Sequence, residues 1–283
     1  MPALIDIRRR IRSVKNTQQI TKALKMVSAA KLRRAQESMF AARPYARTMA
    51  QVLKDVASRT EGEENHPLFR STSGTGKVLV IVVTADKGLC GAFNSSLLRV
   101  AQRFLTDNAN RPIEVDAVGR KGRDFLRRRT TVRKEYIGVF QSLKYTKAQE
   151  IAQSAIQAFL DHEVDEVVLL YNEFKSVIQQ RIVTQRLLPL DAVHGEEKGT
   201  QEYVYEPAPR TIFDKLLPKV VEITVWQALL ESNAAEHGAR MAAMDSATRN
   251  ASQTIDSLTL YMNKVRQAAI TKEIIEVVSG SAA

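Results

Sequence analysis

Apolar residues near the N-terminus recur every three or four positions, the spacing that places them on one face of a helix. The series slips by one step between residues 14 and 20. Two apolar positions per heptad over 4–56 predict a helix that forms a coiled-coil seam. Pro44 should kink or break this helix near residues 40–42, because proline lacks an N–H and clashes with the carbonyl four residues back. The predicted seam consists of Leu4, Ile7, Ile11, Val14, Ile20, Leu24, Val27, Leu32, Ala35, Met39, Ala42, Ala46, Met49, Leu53 and Val56.

A second helical pattern covers residues 209–279 and supplies a partner for the first. Thr211 and Asp214 fit a capping box near its start, although Pro218 follows one turn later. Its middle section is rich in alanine, which lets two helix backbones approach closely. At ~1.5 Å per residue the pattern gives about 105 Å of helix. The two ends of the sequence therefore predict a thin, long antiparallel coiled coil. Its seam in the second helix includes Leu216, Val220, Ile223, Ala234, Ala235, Ala239, Ala242, Ala243, Ala247, Ala251, Ile255, Leu258, Met262, Val265 and Ala269.

Between the helical ends, β-branched runs alternate with helical stretches. This alternation predicts a small, mostly parallel, Rossmann-like α/β domain inserted between the two coiled-coil helices. Strands are predicted over 77–84, 113–118, 132–137, 167–171 and 177–184, and helices over 89–105, 120–128 and 146–160. The predicted organisation is an N-terminal coiled-coil helix (1–57), a linker (58–76), the α/β domain (77–188), a linker and foot (189–208) and a C-terminal coiled-coil helix (209–283).

The positive charge of the chain is concentrated at one end. The formal net charge is +11, and residues 1–60 contain 14 Lys or Arg against three acids, so the rest of the chain is neutral. A solvated helix face normally mixes both signs, whereas acids are almost missing here. The pattern therefore favours a partner with negative potential. The basic residues of the helix are Arg8, Arg9, Arg10, Arg12, Lys15, Lys22, Lys25, Lys31, Arg33 and Arg34.

A search for enzyme chemistry finds no active site and predicts no metal or cofactor. Gly74–Lys77 resembles a P-loop only loosely, because Ser71 replaces the first glycine and the lysine precedes a strand. Gly88–Gly91 follows a strand and is interpreted as a tight turn rather than a phosphate site. The single cysteine, Cys90, excludes an internal disulfide and is interpreted as a small buried residue.

Two other functional classes remain as alternatives at this point. A basic coiled-coil protein that binds nucleic acid would contact phosphates through its lysines and arginines. Against this class, the basic segment has one aromatic residue, Phe40, before Tyr45, and so offers no stacking platform for bases. A nucleotide-binding α/β enzyme is the weaker alternative, for the reasons given above.

Several longer motifs together identify a family. Five of them, in order along the whole chain, resemble the gamma subunit of F-type ATP synthase, as does the 278–280 tail. The motifs are 20–32 (ITKALKMVSAAKL), 84–94 (TADKGLCGAFN), 203–207 (YVYEP), 239–244 (ARMAAM) and 266–273 (RQAAITKE). Leu24 stands where the family commonly has methionine, a change that conserves volume. Met262, which precedes Asn263, stands where the family usually has tyrosine, so no role is transferred to it.

The resemblance implies a non-catalytic rotor shaft in a proton-translocating complex. In this family the terminal helices form an asymmetric antiparallel coiled coil inside a ring of three alpha and three beta subunits, to one gamma. The ring holds the nucleotides, so no cofactor and no nucleic acid are expected on this chain. Turning of the shaft couples ion flow to ATP synthesis and regulates the ATPase. The residues implied to contact the ring are Lys22, Leu24, Lys25, Lys87, Arg266, Gln267, Thr271 and Glu273.

The resemblance also implies a foot and a location. Tyr203, Tyr205 and Glu206 are expected to lie near the epsilon subunit and the membrane c-ring. The longest apolar run is about eight residues, short of the ~20 that span a bilayer, so association with the membrane is expected to be indirect. With no presequence evident, we expect a bacterial protein, peripheral on the cytoplasmic face of the inner membrane. Cys90 alone also implies no thiol regulation of the plant type.

Overall fold

A computed structural model describes residues 2–57, 66–70, 76–177, 179–191, 206 and 208–281. It confirms the predicted class, with long N- and C-terminal helices and a mostly parallel central sheet. The predicted helices and strands all occur, with ends shifted by at most four residues. They are α1 (Pro2–Ala57), β1 (Val78–Val83), α2 (Phe93–Asp107), β2 (Ile113–Val118), α3 (Arg120–Leu126), β3 (Thr131–Tyr136), α4 (Tyr145–Leu160), β4 (Glu166–Phe174), β5 (Gln180–Leu188) and α5 (Pro209–Ser281).

Both long helices continue through their internal prolines. α1 is helical through Pro44, so of the two predicted outcomes, a kink or a break near residues 40–42, the break does not occur. A proline inside a helix costs ~3 kcal/mol. Buried side chains on both sides of it, Met39 and Leu53 among them, offset that cost. α5 begins at Pro209, two residues before the predicted capping box, and runs through Pro218.

The sheet has the order β3-β2-β1-β4-β5, in which β1 to β4 run parallel and β5 is antiparallel to β4. β1 lies at the centre and is buried along its whole length. This burial explains its unbroken β-branched sequence, because a central parallel strand is covered on both faces. The β1 and β2 strands end at loops that follow residues 83 and 118, on the same edge of the sheet.

Alternate residues of β1 enter two separate apolar cores. On one face Leu79, Ile81 and Val83 pack with α4 and with residues 213–229 of α5. On the other face Val78, Val80 and Val82 pack with α2 and with Leu126 of α3. The alternation follows from the period of two of a β-strand. The sheet is thus covered by helices on both faces, as the predicted α/β domain requires.

A buried carboxylate links α4 to α5. Glu222 is only 2% exposed in its side chain, and it accepts hydrogen bonds from Tyr145 Oη and Lys219 Nζ, each at 2.8 Å. Gln149 and Gln153 of α4 donate to it as well, at 3.4 and 3.3 Å. Burial alone would raise the pKa of Glu222, but these donors outweigh it and the pKa is lowered. The Glu222 carboxylate therefore stays ionised and fixes α5 to α4.

The chain divides into two compact units, and the boundary falls inside both long helices. We call residues 31–239 the α/β unit, and residues 1–30 with 240–283 the helix-pair unit. The α/β unit thus includes residues 31–57 of α1 and 209–239 of α5 as well as the sheet. The division into five segments at residues 57, 76, 188 and 208 remains a prediction.

Candidate partner-binding surfaces

The seam of the helix-pair unit is polar in its middle. Gln18 Nε2 donates to Ser252 Oγ at 2.6 Å, and the hydroxyls of Thr21 and Thr248 lie 2.8 Å apart. From Gln18 to Thr21 the residue number rises along α1, while that of the partner on α5 falls from Ser252 to Thr248. The two helices therefore run antiparallel, as predicted. A hydrogen-bonded pair at a seam fixes the register of the two helices, because a shift of one helix by a turn would separate the two side chains and break their hydrogen bond.

An ion pair continues this polar section. Lys25 Nζ lies 2.5 Å from Asp245 Oδ1, and both side chains are about half-buried. The hydrogen bond from Lys25 lowers the pKa of Asp245, and Arg249, 3.2 Å away on the same helix, acts in the same direction. The predicted ring-contact residue Lys25 is therefore already paired within its own chain.

The sequence prediction placed the wrong residues on this part of the seam. Ile20 and Val27 are 59% and 53% exposed, whereas Thr21 and Ser28 are buried. The slipped step does not exist, because the alternation of three and four residues continues unchanged along α1. The true seam reads Val14, Gln18, Thr21, Lys25, Ser28, Leu32, Ala35, Met39. Extending the regular downstream series back towards the N-terminus would have found it, but a search for apolar residues alone passes over polar ones.

The outer surface of α1 is basic, as its sequence indicates. Of the ten cations in residues 8–34, nine are exposed and Lys25 is half-buried. Within the described residues, only Arg9, Lys25 and Arg33 of these form salt bridges. Because exposed ion pairs contribute little, the surface keeps a strong positive potential.

The far end of α5 exposes apolar side chains to solvent. Every residue from 270 to 280 is exposed. Scattered apolar residues on a surface are ordinary, but a run of large ones on a single helix is typical of a surface that a partner covers. The members are Ile270, Ile274, Ile275, Val277 and Val278.

The predicted ring-contact residues fall into separate groups. Lys22 is exposed and Leu24 is half-buried. Thr248, the partner of Thr21, precedes Arg266 by 18 residues on α5, which is about 27 Å of helix. Arg266, Gln267, Thr271 and Glu273 are exposed, and all four lie at least that far along α5 from the position that faces Thr21, next to Lys22. Lys87 lies in the other unit.

Lys87 belongs to a loop at the edge of the sheet. The loop joins β1 to α2, and Lys87 is exposed in it while Cys90 is buried, as predicted. The Gly88–Gly91 segment forms a turn, with φ of +55° at Gly91. Of the predicted foot, Glu206 is exposed, and Tyr203 and Tyr205 lie outside the described residues.

The described part of the chain offers no catalytic cluster. Among those residues no group of three or more His, Cys, Asp or Glu is arranged to hold a metal ion. Lys77, the lysine of the P-loop-like segment, forms an ion pair with Glu114 at 2.9 Å at the start of the sheet. Across the same residues, no helix is long and apolar enough to cross a membrane.

A long antiparallel helix pair with exposed basic and apolar surfaces is the architecture of a shaft or scaffold protein. Comparisons with known proteins agree. The family model described as ATP synthase matches residues 3–283. The chain is 52% identical to the ATP synthase gamma chain of Solibacter usitatus over 287 residues, covering 100% of this chain and 99% of that one. It is 49% identical to the gamma chain of Geotalea uraniireducens, covering 99% and 98%.

Solved structures show the same fold. The central stalk and c-ring structure of Tetrahymena thermophila mitochondrial ATP synthase contains a chain with a TM-score of 0.61 and 28% identity, covering 81% of this chain and 99% of that one. A chain of the Euglena gracilis enzyme has a TM-score of 0.68 at 17% identity, covering 100% and 94%.

The chain belongs to the ATP synthase gamma-chain family. It is therefore a non-catalytic subunit, the central rotor shaft of its synthase.

Proposed function

We propose that one copy of this chain turns inside a ring of three alpha and three beta subunits. Its rotation couples ion flow through the membrane sector to ATP synthesis in the ring and regulates the ATPase of the ring. The observation that carries the proposal is the exposed, single-signed basic surface of α1 in the helix-pair unit. Such a surface suits a cavity bordered by acidic loops, because charges of opposite sign across an interface guide and orient association.

The proposed ring contacts are the exposed residues Lys22, Lys87, Arg266, Gln267, Thr271 and Glu273, with half-buried Leu24. Lys25 is also proposed, but in a different manner. Its ammonium already contacts Asp245, so a carboxylate of the ring would share this ion or displace its partner. The exposed apolar end of α5 supports the proposal, because apolar side chains in contact with water are unfavourable and a ring subunit would cover them.

The proposed lower partners are the epsilon subunit and the c-ring, reached through Tyr203, Tyr205 and Glu206. The synthase would then lie on the cytoplasmic face of the bacterial inner membrane, with this chain peripheral to it. The bacterial gamma chains at about 50% identity support this location.

Native mass spectrometry of the tagged full chain, purified gently from its own cell, tests the role. We expect a complex with three copies each of two larger nucleotide-binding subunits, one copy of this chain and one epsilon subunit. A lone chain, or one that carries nucleic acid released by salt, would contradict the proposal.

A matched pair of charge reversals tests the basic surface. Arg8 and Arg12 are exposed and one turn apart on α1, and Arg99 and Arg103 have the same spacing and exposure on α2. We expect Arg8→Glu with Arg12→Glu to reduce recovery of the complex about tenfold or more, since like charges across an interface cost several kcal/mol. Arg99→Glu with Arg103→Glu should leave it unchanged. Equal recovery of the two double variants would contradict the proposed role of the surface.

A further inference from the structure

The loop between β1 and α2 holds a leucine in an unfavourable backbone conformation and exposes its side chain. Leu89 has φ of +61°, in the left-handed region that favours glycine. Its side chain is 66% exposed. A strained residue usually persists because its side chain is buried or its position is needed for function. Burial does not explain Leu89, so the conformation calls for a functional explanation.

Neighbouring side chains prevent the loop from relaxing. Asn94 Oδ1 accepts the N–H of Ala85 at 3.0 Å, and Asn94 Nδ2 donates to the Cys90 sulfur at 3.1 Å and the Lys87 carbonyl at 3.5 Å. Asn94 thus holds the loop on both sides of Leu89. A loop fixed in this way presents a side chain in one direction and loses less backbone conformational entropy on binding.

Asp86 fixes the same loop to two others. One carboxylate oxygen accepts the N–H of Arg120 at 3.0 Å and the second accepts the N–H of Gly138 at 3.1 Å. The starts of α3 and of the segment after β3 are therefore held beside the β1–α2 loop. This arrangement makes Leu89 part of a rigid surface at the edge of the sheet.

Exposed cations lie in and beside the loop that carries Leu89. Lys87, Arg120 and Lys121 are exposed, and a Cβ added at Gly88 would lie 4.0 Å from Lys121 Cε. Two acids lie among these cations: Asp86 already accepts N–H groups with both oxygens, and Asp124 of α3 is half-exposed and pairs with Arg123. The surface thus has an apolar centre and a rim in which cations outnumber free carboxylates. An apolar anchor surrounded by polar contacts is the usual arrangement of an interface hot spot.

We propose that Leu89 is an apolar anchor that enters a pocket bordered by carboxylates on a ring subunit of the synthase. The positive rim identifies the partner as acidic, and the left-handed backbone is retained because it directs the side chain into that pocket. This inference rests on the proposed function, since it takes Lys87 to face the ring. It adds a residue, and a reason for its strain, that the motif alone does not supply.

Two substitutions separate the backbone of Leu89 from its side chain. Leu89→Asn removes the apolar group and suits the left-handed region, in which asparagine is enriched. Leu89→Met keeps an apolar side chain of similar volume and keeps the strain. The control is Leu160→Asn, because Leu160 is exposed at the end of α4 and is not part of this loop. The readouts are the Tm of the isolated full chain and the affinity of the full chain for its own alpha–beta ring.

We expect opposite effects of Leu89→Asn on the two readouts. The Tm should rise by about 2–4 °C, because strain is relieved in a domain of this size, while affinity for the ring should fall about tenfold or more. Leu89→Met should leave both readouts near wild type, and Leu160→Asn should leave affinity for the ring unchanged. The combination of higher Tm and lower affinity is not expected of a residue with a purely structural role.

Three results would overturn the inference. Wild-type affinity in Leu89→Asn would show that the side chain is not an anchor, and an unchanged or lower Tm would show that its backbone is not strained. A loss of affinity in Leu160→Asn as large as that in Leu89→Asn would show that the fall is common to exposed leucines and that Leu89 is not a specific anchor. If the wild-type chain itself fails to bind the ring, the proposed function fails too, and that result is distinguishable because no variant is needed to obtain it.

Discussion

The α/β unit and the helix-pair unit are stabilised by different interactions. The first contains two apolar cores with large side chains that are wholly buried, such as Leu79, Phe159 and Leu169. In the described part of the second, the buried side chains are few and several are polar or small. They are Leu4, Ile7, Thr21, Ser28, Met244 and Ala251.

This difference indicates which unit depends on partners. Burial of apolar surface is the dominant favourable term in folding, so the α/β unit has the means to fold alone. The seam of the helix-pair unit is two residues wide and contains hydrogen bonds and an ion pair in place of large apolar groups. It therefore buries much less apolar surface and contributes much less free energy of folding. We therefore expect the helix-pair unit to gain a large part of its stability from the ring, and its polar pairs to specify register more than to stabilise it.

The largest expected effect on stability should come from a substitution that leaves a cavity in a core of the α/β unit. Leu169 of β4 is 0% exposed, and Leu169→Ala should lower the free energy of unfolding of the full chain by about 3 kcal/mol. The same change at Leu260 of α5, which is 72% exposed, should cost less than about 0.5 kcal/mol. Urea unfolding of the isolated chain measures both. Equal losses would mean that the units do not differ as described.

The next largest effect on stability should come from placing a charged side chain on the seam of the helix-pair unit. Ile255 is only half-buried, so Ile255→Asp should cost about 1–2 kcal/mol, below the 3–5 kcal/mol of a fully buried charge. Recovery of the assembled complex should fall strongly. Ser257→Asp, two residues away on an exposed face, is the control and should assemble normally. Normal assembly of Ile255→Asp would show that this register is wrong.

A third substitution should stabilise the helix pair. Thr21→Val together with Thr248→Val replaces a hydrogen-bonded pair by two apolar groups of the same shape, with an expected gain of about 1 kcal/mol. The single change Thr21→Val should be near neutral, because the Thr248 hydroxyl can still donate its one proton to the Met244 carbonyl at 2.7 Å. Thr254→Val is the control, since the Thr254 hydroxyl donates only within its own helix, to Asn250. A double-mutant cycle by thermal unfolding measures the coupling, and a destabilised double variant would contradict the account.

The smallest expected effect concerns pH. The pKa of Asp245 is lowered from 3.8 by its hydrogen bond with Lys25, so the stabilisation is present above pH ~4 and is lost as the pH falls through the lowered value. Lys25→Gln should remove this part of the pH dependence, and wild type in high salt should lose some of it by screening. Thermal unfolding between pH 2 and 5 (~0.5-unit steps) compares them. An unchanged profile in Lys25→Gln would mean that the ion pair does not form in solution.

Regular patterns were sufficient to predict most of the fold. β1 could be assigned because a central parallel strand has one continuous apolar run, and α5 because its alternation is long. The basic surface of α1 followed from counting charges. These features depend on many residues of one type, so a single exception does not obscure them.

The parts that sequence could not supply depend on tertiary contacts. The polar seam was missed because Thr21 and Ser28 are buried only where a second helix meets them. The continuity of α1 at Pro44 depends on packing on either side of the proline. Leu89 was missed for a different reason, since a backbone angle imposed by Asn94 and Asp86 leaves no pattern in the sequence.

The most direct test of the account is hydrogen exchange of the full chain, measured alone and in the purified complex. We expect amides of residues 4–30 and 240–280 to exchange quickly in the isolated chain and to become strongly protected in the complex, while β1 and β4 are equally protected in both. Protection of the two helical segments that is the same with and without the ring would contradict the claim that the shaft depends on its partners.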